Sequence, residues 1–239
     1  MKEVMVTINQ SIVKARNFAE RFDERYIIAY ENNDLAIRYL SKIVKSFMEV
    51  FPNVQVELKM VDFQRKNTVF LEDKADFLFT VRDSIIKIPQ TDYRQLYIGR
   101  FMCILSEKHE LSGKKSLSFE TLNGETLVLL NPSLCPKEMK RMEEQIIEAC
   151  PDSPVLYVDN QLSGCTLASC ELGIAIMPDF IYHATATLCM IPLQTSEVIS
   201  YGAVWHTQDR RKQTRCLLEV AERIFRAGFR SQLDGLQST

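Results

Sequence analysis

The side chains of this sequence that could do chemistry are polar residues at turns, with no catalytic signature among them. No GxSxG elbow, glycine-rich phosphate loop or HExxH pair occurs in its 239 residues. The three histidines, His109, His183 and His206, lie too far apart for a metal-ligand spacing and read as surface or satisfied core imidazoles. Seven cysteines are scattered without CxxC pairs, which suits reduced thiols better than a disulfide framework. Most sit in apolar settings as small hydrophobes. Cys135 and Cys165 fall in segments expected to edge a cleft. A redox sensor there would need a thiolate held down by cations, and only Lys137 is close to Cys135 in sequence. Neither a metal nor a cofactor is expected.

The polar residues of interest each follow an apolar run. In open α/β sheets ligands bind beyond the carboxyl ends of the strands, where helix N-termini present free N–H groups. That rule selects Glu31, Asn32 and Asn33, then Asp62 and Phe63, then Thr80, Val81 and Arg82. Further along it selects Asn131, Pro132 and Ser133, then Asn160 and Gln161. Each has a plainer use. Asn32, Asn33 and Asn160 are good helix caps, and Asn131-Pro132-Ser133 is a good turn. Arg82 could hold a carboxylate bidentately or pair with Asp83 at the surface. Glu31 and Asp62 oppose a simple dianion, so a zwitterionic or polar neutral ligand fits the set better. The same two carboxylates are the pair to consider for acid–base work if the chain were an enzyme.

The elements that must position these residues follow from periodicity. Residues 5–22 carry a modest helical stripe. Tyr26–Tyr30 reads as a buried strand, and Ala36, Leu40, Ile43, Val44, Phe47 and Phe51 mark one face of a helix that Pro52 stops. Val54–Met60 alternates as a strand, a short polar helix is expected over 65–73, and Phe77–Phe79 is a buried strand. Leu96–Leu105 is an extended run, Thr126–Leu130 and Val155–Val158 are strands, and helices are expected over 136–149 and 162–172. Ile174–Met177 is a strand, Val198–Trp205 is extended, and 208–227 forms a basic amphipathic helix before a polar tail. Strands alternate with helices twice over, which implies parallel sheets of the doubly wound type in two lobes. The joins are expected near 98–102 and 199–204, making a hinge and a cleft.

Composition is that of a soluble globular protein with a real core, and its charge does not favour nucleic acid over the whole surface. Hydrophobic residues make up 46%, and the formal net charge is −2. The arginines of the last helix alternate with Glu219, Glu222 and apolar positions, so they read as a solvated face. No secretory signal and no bilayer-length apolar run is present, which favours the cytoplasm.

Several patches resemble the effector domain of LysR-type transcriptional regulators. Phe47-x-x-x-Phe51-Pro52-Asn53-Val54-Gln55-Val56-Glu57-Leu58 looks like the family's "F…yPxvxlel", and Lys74-Ala75-Asp76-Phe77 like "GxlDlai". Ile104–Leu111 resembles "lvxxxxHPL", Leu117–Leu122 echoes "sl.dL", and Gly173-Ile174-Ala175-Ile176-Met177-Pro178 matches "GIAxxP". Glu110, Lys74 and Glu171 depart from that pattern. Glu171 stands where glycine commonly takes a positive φ, so the preceding helix is expected to continue toward Gly173.

The resemblance implies an α/β fold of two Rossmann-like lobes joined by two crossing strands, as in periplasmic binding proteins, behind an N-terminal linker helix. It assigns 1–24 to that linker, 25–98 and 205–230 to lobe I, 99–204 to lobe II and 231–239 to a frayed tail. It implies a small-molecule effector in the cleft and no enzymatic activity. It also implies a homodimer or tetramer through lobe I and lobe II helices, with Lys42, Lys45 and Glu49 near the rim. DNA would be reached only through a helix-turn-helix domain missing from this sequence, and no membrane is involved. An enzyme or a free-standing solute-binding protein using the same cleft is the alternative.

Overall fold

The computed structural model describes residues 24–61, 70, 75–82, 89–181 and 187–236, with backbone only from 229. The expected linker helix, the 65–73 helix apart from Phe70, Asp62, Phe63 and His183 lie outside the described residues.

In the first half of the fold, β1 (Glu24–Glu31) runs parallel to both β2 (Val54–Val61) and β3 (Phe77–Val81). Helix α1 (Asp34–Val50) connects β1 to β2. It forms because Leu35, Ala36, Leu40, Ile43 and Phe47 make one apolar stripe, with Asn33 capping its start. The two halves meet through β4 (Thr91–Ser106). From Thr91 to Arg100 this strand pairs antiparallel with β9 (Val198–His206). From Phe101 on it pairs with β7 (Ile174–Pro178) and β8 (Leu188–Pro192). In the second half β5 (Leu127–Leu130) runs parallel to β6 (Val155–Val158) and β7. The helices there are α2 (Phe119–Leu122), α3 (Lys137–Ala149) and α4 (Gln161–Ser169). Helix α5 (Lys212–Leu236) returns to pack on α1, where the Tyr39 and Phe225 rings lie 4.7 Å apart. The strand order is β2-β1-β3-β9-β4-β7-β5-β6, with β8 beside β4.

Two α/β halves joined by crossing strands match the expected architecture, with four corrections. The sheet is mixed: β9 is antiparallel to β3 and β4, and β4 is antiparallel to β7 and β8. The second crossing precedes Val198. Residues 201–205 already pair with β3, so the join expected at 199–204 lies inside the first-half sheet. The tail is helical as far as Leu236, because α5 continues through 231–236. Helix α4 ends at Ser169, and Glu171 itself takes the left-handed conformation at φ 61°. The Glu171 N–H donates to the Ala168 carbonyl at 3.1 Å and the Leu172 N–H to the Leu167 carbonyl at 3.0 Å, a Schellman stop built without glycine. Gly173 is needed for a different reason: a Cβ there would meet the Thr126 carbonyl oxygen at 2.7 Å, where β7 joins β5.

The start of α5 is clamped to the strands by charge. Arg211 stacks 5.0 Å from the Tyr26 ring centre and donates to Asp209, to Asp76 at 2.7 Å and to Glu24 at 3.1 Å. Burial alone would raise Asp209, but hydrogen bonds from Arg211 and Thr214 outweigh it and hold the carboxyl down at about 2.

Candidate functional site

Side chains alternate along strands, so register decides which residues share a face. Thr80 of β3 lies opposite Gly202 of β9. Gly202 carries no side chain, and the Tyr93 ring of β4 occupies that space. A Cβ at position 202 would stand 2.7 Å from the Tyr93 Cζ and 2.8 Å from its hydroxyl, and would strike the Arg94 carbonyl. Two residues along β9, the Ser200 hydroxyl meets the Tyr93 hydroxyl at 2.9 Å and donates to Gln95 Oε1 at 3.0 Å. Two residues after Ala29 on β1, Glu31 accepts from the Thr80 hydroxyl at 2.8 Å. Glu31, Thr80, Tyr93, Gln95 and Ser200 therefore form one polar row where the sheet crosses from half to half.

The second half of the fold closes on this row. Glu138, in the first turn of α3, accepts from the Ser200 N–H at 3.1 Å. Gln161, the first residue of α4, donates to the Asn32 carbonyl at 2.7 Å. The Asp34 N–H, at the start of α1, donates to the Phe180 carbonyl just beyond β7 at 2.9 Å. These bonds bring the N-terminal ends of α1, α3 and α4 to the seam between the halves, and helix N-termini favour anionic groups. Burial raises both the Tyr93 and the Tyr201 hydroxyls above their ordinary values. The charges of Glu138, Arg82 and Glu31 all act on Tyr93.

Of the residues selected from sequence, Glu31 pairs with Thr80 and Asn32 with Gln161 where the halves meet. Asn33 is buried at 3% exposure, and its Oδ1 caps α1 by accepting from Ala36 N–H at 2.9 Å. Its side chain also acts on the buried Tyr201 hydroxyl, partly offsetting the effect of burial. Arg82 is exposed just past β3. Asn131 and Ser133 satisfy each other: Asn131 Oδ1 accepts from both the N–H and the hydroxyl of Ser133, and its amide donates to Asp159 at 3.2 Å. Asn160 caps α4 by accepting from Ser163 N–H at 3.0 Å. The cap and turn uses of Asn33, Asn131, Ser133 and Asn160 are therefore realised. Sequence reasoning missed Tyr93, Gln95, Glu138 and Ser200. The one usable signal was that the crossing strands had to line the cleft.

The two flagged cysteines do not suit a redox role. Burial, then the neighbouring Glu143 carboxyl, push the Cys135 thiol well above its ordinary value, and burial pushes Cys165 up to about 11. Among the described residues, no group of three or more His, Cys, Asp or Glu side chains could hold a metal ion. None of the described helices is long and apolar enough to cross a membrane.

This two-half architecture with a polar row at the crossing has a family. The LysR substrate binding domain model matches residues 32–226. The chain belongs to that family. No curated protein sequence matches it significantly. Among solved structures, the BenM effector binding domain with its effector benzoate is similar at a TM-score of 0.69 and 18% identity, covering 87% of this chain and 94% of that one. The effector binding domain of QuiR in complex with shikimate gives 0.69 at 11% identity, covering 85% and 97%. Full-length CbnR complexed with target DNA gives 0.67 at 12% identity, covering 93% and 77%. At these identities the likeness carries the fold: this LysR-type domain has the periplasmic-binding-protein-like architecture expected of it.

Proposed function

We propose that this LysR-type domain senses a small-molecule effector in the cleft and performs no chemistry on it. The observation that carries the reading is the polar row at the crossing, faced by three helix N-termini and spanned by the Gln161–Asn32 bond. A ligand entering there would exchange its own contacts for the bonds between halves, and so change their relative orientation by hinge motion. The lobe boundaries that fit the pairing are 24–100 with 198–236 for the first lobe and 101–193 for the second. BenM and QuiR were solved with benzoate and shikimate, which supports a sensing role without naming the effector.

The chain is further proposed to work in the cytoplasm as a dimer or tetramer, coupled to DNA through a helix-turn-helix domain. The exposed Ile37 on α1 and Leu162 on α4 are the apolar positions from which a second copy would be recruited. A thermal melt of the chain against a metabolite library tests the sensing role. A ligand at one hundred times its Kd adds about 2.7 kcal/mol, or about 5–10 °C for a domain of this size. If no metabolite raises the melting temperature and a crystal structure shows the cleft occluded, the sensing reading falls.

A further inference from the structure

A cavity of about 190 Å³ opens in the first half of the fold, between the first two turns of α5 and the paired starts and ends of β4 and β9. It lies away from the seam. Trp205, which lines it, stands five residues along β9 from Ser200, about 16 Å at the usual strand rise. Its apolar lining is Trp205 and Leu218, both half-buried. The Trp205 ring stacks on Phe77 with centroids 6.2 Å apart, which fixes it as a flat surface.

Five charged residues line the cavity, and their partners sort them. Arg211 and Asp209 hold each other, and Arg211 also reaches Asp76 and Glu24. Asp209 takes the Thr214 hydroxyl at 2.6 Å as well. Asp92 accepts from the Thr207 hydroxyl at 3.2 Å. Arg210 and Arg215 remain. Both are exposed, and among the described residues neither guanidinium has a hydrogen-bond or ion-pair partner. On the same helix Glu222 does pair with Arg226. The first turn of α5 contains no acid, so these two cations stand against each other and against the positive end of the helix dipole. An anion in the cavity relieves both oppositions.

We propose that this cavity is a ligand site in its own right, separate from the seam, for a small flat anion. Its anionic oxygens meet Arg210 and Arg215, and its body lies against Trp205 and Leu218. A cavity of about 150 Å³ already takes a benzene-sized body, so this one has room for a ring and an anionic group. A cation is repelled by the two arginines, and a bare inorganic anion leaves the apolar lining unused.

Trp205 is the only tryptophan in the sequence, so its fluorescence reports from this cavity directly. The whole chain is titrated at low ionic strength with four probes. Phenyl phosphate and phenylacetate carry one ring on two kinds of anion, benzylamine carries it on a cation, and inorganic phosphate has no ring. The expected result is a saturable change in emission with at least one aryl anion and none with benzylamine. Affinity for that anion should fall about tenfold or more in Arg210→Gln and in Arg215→Gln. Whichever aryl anion binds more tightly tells a phosphate from a carboxylate ligand. Both arginines are exposed, so the variants should melt at the wild-type temperature. No saturable change with either aryl anion overturns the proposal. So does benzylamine binding as well as they do, inorganic phosphate binding as tightly as they do, or aryl-anion binding that either variant leaves unaltered. None of these outcomes bears on the library melt, which tests the seam independently.

Discussion

Glu143 should make this protein lose stability as the solution is brought from acid to neutral pH, and Glu143→Gln should remove most of that loss. The side chain sits on α3 at 2% exposure, beneath the end of β5. Its Oε1 accepts from the Leu130 N–H at 3.0 Å and its Oε2 from the Cys135 thiol at 3.3 Å. Burial raises the carboxyl from 4.5 to about 7, the two hydrogen bonds offsetting only part of the cost of ionising it there. Below about pH 4.5 the acid is neutral folded and unfolded, and its stabilising contribution is complete. Between about 4.5 and 7 the unfolded chain releases the proton while the folded one keeps it, so stability falls with each rise in pH. About 2.5 pH units at about 1.36 kcal/mol each amount to roughly 3 kcal/mol, complete above about pH 7.

Glutamine keeps an acceptor for Leu130 and places a neutral amide at Cys135. Urea unfolding of wild type and variant would be followed from pH 5 to 8 by the fluorescence of the single tryptophan, Trp205, which stacks on Phe77. The variant should gain on wild type as pH rises, by up to about 3 kcal/mol. Asp179 is also raised by burial, so the wild-type curve alone does not isolate Glu143, whereas the difference curve does. Asp209, held at about 2, acts only below about pH 4 and leaves this window untouched. A difference that stays constant across pH would refute the assignment of a neutral buried acid.

Two other substitutions bear on the stop of α4 and on self-association. Glu171→Gly should stabilise the domain by about 0.5–1 kcal/mol, because glycine occupies the φ 61° conformation without the penalty of a Cβ, and the ion pair that Glu171 makes with Lys108 is solvent-exposed and weak. A fall in melting temperature would show that the residue prefers another backbone there. Leu162→Glu, at a position 74% exposed on α4, should leave the melting temperature of the monomer unchanged while dissociating the dimer in sedimentation velocity. An unchanged sedimentation coefficient would remove α4 from the proposed interface.

What could be read from the sequence divides along the range of the interactions. Tyr26–Tyr30, the 34–51 stripe and the Val54–Met60 alternation are local patterns, and they became β1, α1 and β2 with ends moved by one or two residues. Strand β8 was not foreseen, since the five residues Leu188–Pro192 are too short and too irregular to show a period. Strand direction was misjudged because a strand buried on both faces looks alike in either sense. At the site, residues on strand-to-helix loops were legible because capping and turn chemistry is local. Tyr93, Gln95 and Ser200 were not, because their place depends on Thr80 standing opposite Gly202, more than a hundred positions away. Glu138 passed as an ordinary first-turn acid.

The crossing of β4 and β9 also fixes an order of birth. Residues 101–193 complete the second half's sheet from one continuous stretch, so that half can collapse as soon as it has left the ribosome. The first half cannot. Strand β3 leaves early, yet its neighbour β9 follows about 120 residues later, and α5 after that. Until they arrive, the nascent first half shows an open sheet edge at Phe77–Val81 and an uncovered α1. The half of this domain begun first is therefore finished last, and its exposure to misassociation lasts about as long as synthesis of the inserted half.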